Sequence, residues 1–188
     1  MTVTPLNKQN TSRIAQSFYV NRENGMFVTD IDLFFSAVPP SSGEPVYVTI
    51  RNLEGGAPNA VTYMAKAENS YSNISSLTSV DGTTACKFSF SAPVYLDPFT
   101  SYAFTVETNS SEYKLWYSEI YDYALNSTEK LVDKNPVTGS LFLSQNGITW
   151  SAVQEQDLKF RIYKANWSNH YTANTIIPIK VHNKALPF

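Results

Sequence analysis

The sequence predicts an all-β fold, specifically an antiparallel β-sandwich of jelly-roll-like architecture with extended N- and C-terminal arms. Aromatic residues make up 14% of the 188-residue chain and charged residues only 16%, a mix typical of half-buried strands. About nine short segments of alternating polarity recur at roughly ten-residue spacing, as in sandwiches and barrels. Pro, Gly and Asn residues separate these segments, and no segment has the pattern of a three-turn helix.

The clearest strands lie in the first third of the chain. One is predicted over 15–20 and is followed by a turn signal at Asn24 and Gly25. The segment 26–35 alternates strictly, so we expect one solvated face bearing Asp30 and Asp32. A calcium site is the alternative reading of these two acids, but it would need further oxygen ligands. The buried face is expected to hold Phe27, Thr29, Ile31, Leu33 and Phe35.

The middle of the chain is less regular. A strand is predicted over 46–51 because Val46, Val48 and Ile50 alternate with polar or aromatic residues. The segment 61–77 is ambiguous, since 61–65 alternates as a strand would whereas 64–68 also suits a helical turn. Further strands are predicted over 86–90 and 94–96. The turn at Asp97 and Pro98 lacks the usual following glycine, and Phe99 in that place argues against a type II turn.

The predicted strands of the C-terminal half cover 102–106, 113–117, 141–143, 148–150 and 158–164. Asn146 and Gly147 predict a tight hairpin between the third and fourth of these. The last strand alternates apolar with basic residues. Aromatic side chains expected in the sandwich core are Phe27, Phe35, Phe88, Phe90, Tyr102, Phe104 and Phe160.

Three regions follow from these patterns: an N-terminal leader or arm over 1–12, a β-sandwich domain over 13–165, and a C-terminal arm or linker over 166–188. The tail contains an apolar run over 175–181 that is interrupted by a proline, which confines such a run to a sheet edge. We expect it to pack on a neighbouring subunit or domain, and a tenth strand on its own body is the alternative. The predicted assembly contacts are Trp167, Tyr171, Ile176, Ile177, Ile179, Val181, Leu186 and Phe188.

Composition also excludes several classes of function. A net charge of −2 without basic blocks argues against nucleic-acid binding. No apolar stretch is long enough for a transmembrane helix, so we expect no membrane insertion. The N-terminus lacks the apolar core of a secretory signal, and Cys86 is the only cysteine. These features predict synthesis in a cytosol without an intrachain disulfide.

No catalytic arrangement is evident. Both histidines, His170 and His182, lie in the tail, so neither a Ser-His-Asp set nor a zinc site can be centred on the sandwich. Cys86 is interpreted as a small buried side chain. A glycosidase would need two facing acids, and the acids grouped along the chain are Glu107, Glu112, Glu119 and Asp122. Such grouping is expected by chance, so we predict no enzyme activity, no cofactor and no metal.

The aromatic residues are the enrichment most relevant to function. An exposed platform of Trp and Tyr side chains could stack against a sugar ring, and the same residues could equally form core or a protein interface. The candidates for glycan stacking are Trp116, Tyr121, Tyr123 and Trp150.

Three stretches together resemble a β-sandwich module of tailed-bacteriophage virion proteins, chiefly those of the baseplate, tail and fibre. The stretches cover 15–20 followed by 25–35, then 93–104, and finally 139–150 followed by 157–165. Their order and spacing match over about 14–165, most of the chain. The most specific is the third, with its Leu141–Trp150 hairpin and the Leu158–Lys164 strand. The leader and the tail lie outside the resemblance.

The resemblance implies a structural module without catalytic residues. The expected function is therefore a non-enzymatic virion protein, made in the host cytoplasm, that contacts other virion proteins or copies of itself. The alternative is a carbohydrate-binding module of a fibre or adhesin that recognises a host-surface glycan.

Overall fold

The computed structural model describes residues 2–5, 12–79, 81–123, 132–134 and 138–166. These residues form an all-β, antiparallel fold with one short helix, α1 (Tyr71–Leu77), which confirms the predicted class. The strands are β1 (Thr2–Pro5), β2 (Ser12–Tyr19), β3 (Met26–Leu33), β4 (Phe35–Ala37), β5 (Val46–Glu54), β6 (Ala57–Pro58), β7 (Ala65–Asn69), β8 (Cys86–Leu96), β9 (Ser101–Thr108), β10 (Lys114–Glu119), β11 (Leu141–Ser144), β12 (Ser151–Val153), β13 (Gln156–Leu158) and β14 (Phe160–Lys164).

The largest sheet has seven strands in the order β12-β11-β2-β9-β5-β6, and β7 also pairs with β5. Every pairing in it is antiparallel. Residues such as Val46, Val48 and Ile50 are fully buried on its inner face, as the alternation over 46–51 predicts. The same alternation applies across the sheet because directly opposed residues point to the same side.

Two smaller sheets cover this inner face and meet at Trp116. One contains β14-β3-β8, and the other contains β1-β10-β13 with β4 also paired to β10. The pairing of β3 with β14 ends at Leu33 and Phe160, and β10 passes next to the residues just beyond it. The Trp116 N–H donates to the Phe34 carbonyl, and the Trp116 carbonyl accepts from the Lys159 N–H, both at 2.9 Å. The junction therefore satisfies backbone groups that the diverging strands would leave unpaired.

A single apolar core joins the layers. The rings of Phe104 and Phe160, from facing sheets, lie 4.9 Å apart between centroids. A buried polar link accompanies them. The Gln16 amide donates to the Asp157 carboxylate at 2.7 Å and accepts from the Leu158 N–H at 3.0 Å. Because both partners are buried, this link ties β2 to β13 at a defined register.

The predicted buried face of 26–35 is wrong at the start of β3 and correct from Ile31 onwards. Val28 pairs with Val94, but Asp30 pairs with Ser89, so two residues on β3 oppose five on β8. Over this interval β8 therefore has three more residues than β3. Because successive side chains of a strand point to opposite faces, an odd difference changes which residues of the two strands share a face. Val28 is consequently buried and Phe27 is 39% exposed, which removes Phe27 from the predicted core.

Four further local features correct or refine the predictions. The segment 61–77 was ambiguous between strand and helical turn, and it forms strand β7 over Ala65–Asn69. A helix forms later, where the Ser70 side chain accepts from the Asn73 N–H as N-cap. The hairpin loop is longer than two residues because the Asn146 side chain accepts from the N–H groups of residues 148 and 149. The strand 158–164 breaks at Lys159. Phe99 adopts a left-handed φ of 52° despite being non-glycine.

Candidate binding surfaces

Trp116 is excluded as a surface platform. It is 5% exposed, and its indole N–H donates to the Ser79 carbonyl at 3.0 Å. The backbone of Gly82 lies so close that an added Cβ would sit 3.3 Å from the indole ring. Ser79 and Gly82 thus lie against the indole of Trp116, and no sugar ring can stack there.

The other proposed glycan contacts differ in exposure. Tyr121 is 81% exposed and Tyr123 is 50% exposed. The Tyr121 N–H donates to the Val132 carbonyl at 2.8 Å, and Tyr121 has a positive φ of 69°. Trp150 is half-buried, and its buried indole N–H has no hydrogen-bond partner among the residues that the structure describes. Of the predicted set, only the two tyrosines present exposed rings.

The predicted assembly contacts lie outside the described residues. This applies to every tail position named above, from Trp167 to Phe188, and to both histidines. The proposed packing of the tail on a neighbouring subunit therefore stays a prediction.

Cys86 is unsuited to nucleophilic chemistry. It is 1% exposed, and burial, followed by the negative charge of Asp32, raises its pKa to about 12. A thiol with that pKa is protonated at neutral pH, and thiolate is the reactive form. The interpretation of Cys86 as a small buried side chain is therefore confirmed.

Two of the grouped acids, Glu107 and Glu119, make structural contacts. Glu107 accepts from the Arg51 guanidinium at 3.0 Å and from the Thr105 hydroxyl at 3.0 Å, and Arg13 lies 3.6 Å away. Glu119 accepts from the Gln156 amide at 3.1 Å. In the described part of the chain, no group of three or more His, Cys, Asp or Glu side chains could hold a metal ion.

Asp32 is buried rather than solvated, which corrects its predicted place on an outer face. It lies in a cross-strand row between Lys87 and Arg161. Its Oδ2 accepts from the Tyr163 hydroxyl at 2.8 Å and lies 3.9 Å from Arg161, while Oδ1 has no hydrogen bond among the described residues. The row explains the burial because long side chains on both neighbouring strands close over the short carboxylate.

Asp30 is the more accessible of the two acids. The Ser89 hydroxyl donates to its Oδ1 at 2.6 Å, and this hydrogen bond lowers the pKa of the carboxyl below its usual value. The two acids therefore have different environments, and among the described residues neither belongs to a group of three or more acidic, His or Cys side chains that could hold a calcium ion.

The structure also forms a polar depression that sequence reasoning missed. It is shallow, open and about 450 Å³ in volume, and two loops that are far apart in sequence build it. The β4–β5 loop contributes one wall and the β9–β10 loop contributes the other. The lining residues are Ser42, Gly43, Glu44, Asn109, Ser110, Ser111 and Glu112. Hydroxyl, amide and carboxylate groups of this kind hydrogen-bond to polyhydroxylated ligands.

Two tyrosine hydroxyl groups fix the backbone of the β4–β5 loop at the depression. The Tyr113 hydroxyl donates to the Glu44 carbonyl at 2.6 Å, and the Tyr71 hydroxyl donates to the Pro39 carbonyl at 3.0 Å. Burial raises the pKa of Tyr113 to about 12. A Cβ on Gly43 would lie 2.7 Å from the Tyr113 hydroxyl, so a side chain there has no room. The polar turns at 41–44 and 109–112 were the available signal, but their proximity is tertiary.

No helix in the described ranges is long and apolar enough to cross a membrane. Comparison with protein-family models gives no match, and comparison with curated proteins gives none. The chain is similar in structure to the cysteine protease and lectin-like domains of Cwp84, a surface layer associated protein of Clostridium difficile. The match has a TM-score of 0.55 at 12% identity and covers 81% of this chain and 32% of that one. A similarity at this identity shows a shared fold.

Proposed function

We propose that this chain is a non-enzymatic structural protein of a tailed-phage virion, a β-sandwich module in the tail or baseplate. Its partners would be copies of itself or other virion proteins. The observation that supports this most is the N-terminal strand β1. It adds to the edge of β10 from a segment that the sequence marks as an arm. Strand addition to an open edge is a common way in which protein chains associate.

The side chains agree with a structural role. Of the grouped acids, Glu107 forms an ion pair with Arg51 and Glu119 accepts a hydrogen bond from Gln156. Cys86 is a buried thiol. The low charged fraction of 16% also supports assembly, because a surface with few Lys and Glu residues costs less to desolvate.

The test is the mass of the full chain in solution. We expect an oligomer whose interface buries more than about 1,000 Å² and includes the tail. Ile177→Asp should lower the mass measured by light scattering, because it places a charge in the proposed contact. Ile148→Asp is the matched control, since Ile148 is 70% exposed on the hairpin loop. A wild-type chain that is monomeric at every concentration would contradict the proposal.

The second candidate is binding of a host-surface glycan. The polar depression favours it, and the fold is shared with a protein that contains a lectin-like domain. The glycan would then contact the loop residues Glu44, Asn109 and Glu112 rather than the buried Trp116.

A glycan array with the full chain tests this candidate. Asn109→Ala should abolish any binding, because it removes an amide at the rim of the depression. Asn24→Ala is the control, since Asn24 is also exposed but lies on the β2–β3 turn. Binding that survives Asn109→Ala and Glu112→Gln would exclude the depression.

A further inference from the structure

Two exposed aromatic rings lie side by side at one end of the β14-β3-β8 sheet. Phe27 on β3 is directly opposed to Tyr95 on β8, and their ring centroids are 5.0 Å apart. Phe27 is 39% exposed and Tyr95 is 42% exposed, so each ring presents a large part of its surface to solvent. This aromatic pair is separate from the polar depression, which the β4–β5 and β9–β10 loops build.

The register shift between β3 and β8 places Phe27 in the aromatic pair. With unbroken alternation, Phe27 would share the inner face with Ile31 and Leu33, which are both fully buried. The additional residues of β8 interrupt the pairing just after Phe27 and its neighbour, and Phe27 points outward instead. Irregularities of this kind commonly re-aim a side chain next to a binding site. The fold thus exposes a large apolar ring that an undisturbed ladder would bury.

The ring of Tyr95 packs against the β2–β3 turn. Its hydroxyl donates to the Asn24 carbonyl at 3.4 Å, and a Cβ on Gly25 would lie only 2.8 Å from that hydroxyl. The Phe27 backbone is also fixed, since its carbonyl accepts from the Ala165 N–H at 2.8 Å. A ligand would therefore meet two rings that are already positioned, which reduces the entropy lost on binding.

The size and surroundings of the aromatic pair indicate the kind of ligand. Because an aromatic side chain offers roughly 150–250 Å², the two rings together expose about 150 Å². That area is far below the roughly 800 Å² that each partner contributes to a stable protein interface. It is comparable with the apolar C–H faces of a small saccharide. The exposed turn residues Arg22, Glu23 and Asn24 add donors and acceptors for hydroxyl groups.

We propose that the Phe27–Tyr95 pair is a saccharide-binding site, with a pyranose ring stacked on the aromatic rings and its hydroxyl groups directed to the turn at 22–24. The inference rests on the second candidate function, glycan binding, and deepens it by naming a contact site outside the polar depression. The pair supplies the aromatic contact that the covered Trp116 cannot make. The site does not depend on assembly of the chain.

A glycan array tests this site with the full chain. Its probes are short saccharides of glucose, galactose, mannose and their N-acetylamino derivatives, and calorimetric titration with the strongest binder then compares variants. We expect Phe27→Ala and Tyr95→Ala to weaken binding at least about tenfold, because aromatic side chains commonly carry a large share of the binding energy at an interface.

Three further variants serve as controls. Tyr95→Phe keeps the ring and should bind more tightly than Tyr95→Ala. Tyr63→Ala removes an exposed tyrosine that lies outside β3 and β8, so binding should not change. Thermal unfolding checks that each variant is folded, and Phe27→Leu, which keeps an apolar side chain but no ring, gives the same comparison if Phe27→Ala does not fold.

Two results would overturn the site. In the first, binding survives both Phe27→Ala and Tyr95→Ala; if Asn109→Ala abolishes it, glycan binding stands with the depression as its site. In the second, no saccharide on the array binds the full chain, which also removes the glycan-binding candidate and leaves the assembly function to the measurement of mass. If Tyr95→Ala then lowers the mass measured by light scattering, the aromatic pair belongs to a protein contact.

Discussion

The turn between β8 and β9 places a bulky residue in a conformation that favours glycine. Phe99 has a φ of 52° and is 54% exposed. The turn is held by the Phe99 N–H, which donates to the Val20 carbonyl at 2.9 Å. The Tyr102 hydroxyl accepts from the Asp97 N–H at 3.0 Å and donates to the Asp97 carboxylate at 3.1 Å. Because these hydrogen bonds fix the backbone of the turn, Phe99 stays in the left-handed conformation, and its free-energy cost remains in the folded state.

Comparing two substitutions at this position isolates that cost. Phe99→Ala and Phe99→Gly both remove the ring, but only Ala retains a Cβ. The left-handed conformation costs a non-glycine residue about 1–2 kcal/mol. Glycine loses about 0.4–1 kcal/mol of this advantage through the greater freedom of its unfolded chain. Subtracting the midpoints of these ranges, we expect Phe99→Gly to be more stable than Phe99→Ala by about 0.8 kcal/mol.

Urea denaturation of both variants measures this difference. Thr100 provides the control, because it is the next residue of the same turn and has no positive φ. There the order should reverse, with Thr100→Ala more stable than Thr100→Gly by about 0.5–1 kcal/mol. If Phe99→Ala is equal to or more stable than Phe99→Gly, the turn does not carry the left-handed strain and the reasoning is refuted.

Three further results are expected from closely packed or hydrogen-bonded groups. Gly43→Ala should destabilise the chain by about 1–3 kcal/mol in thermal or chemical unfolding, because its Cβ would lie against the fixed Tyr113 hydroxyl. Tyr163→Phe should cost about 1–3 kcal/mol by removing the donor to the buried Asp32 carboxylate. The pKa of Cys86 is raised from 9.0 to about 12, so the folded state holds a proton that the unfolded state releases. The stabilisation that this protonated thiol contributes is fully present below pH 9 and is lost as the pH rises towards 12. Cys86→Ala should therefore make the alkaline decline in the free energy of unfolding shallower.

Matched controls accompany these measurements. Ser42→Ala alters an exposed neighbour of Gly43 and should change stability by less than about 0.5 kcal/mol. Tyr95→Phe removes a hydroxyl whose bond to the Asn24 carbonyl is long, 3.4 Å, and exposed, so a small effect is expected. Equal losses for Tyr163→Phe and Tyr95→Phe would contradict the role given to Asp32. An unchanged alkaline decline in Cys86→Ala would contradict the assignment of the titration.

Strand positions were predictable where alternation continued without interruption. The segment 46–51 forms the first part of β5, and Val46, Val48 and Ile50 are buried as expected. The same reasoning failed at Phe27 because the faces of β3 depend on its register against β8, and that register shifts between Val28 and Asp30. A register shift involves a strand about sixty residues away, so local alternation carries no sign of it.

The candidate sites were harder to predict than the strands. Tyr121 is exposed, as the glycan-stacking alternative requires. Trp116 is covered, since β10 crosses the ends of two other strands and the chain at Gly82 lies over the indole. The polar depression joins residues 42–44 to residues 109–112. Each of its walls resembles an ordinary polar turn in sequence, and only their approach creates a concave surface.

The sequence by itself determined the all-β class, most strand positions and the buried character of Cys86. These properties follow from composition and from a two-residue period, which are local. The tertiary structure alone decided which faces are covered, how β10 joins two sheets at Trp116, and where β1 pairs. Burial and edge pairing depend on which distant segments approach each other, and β1 shows this most clearly. A strand joined to an edge by backbone hydrogen bonds requires no periodic side-chain pattern, so a polar leader without periodicity can still complete a sheet.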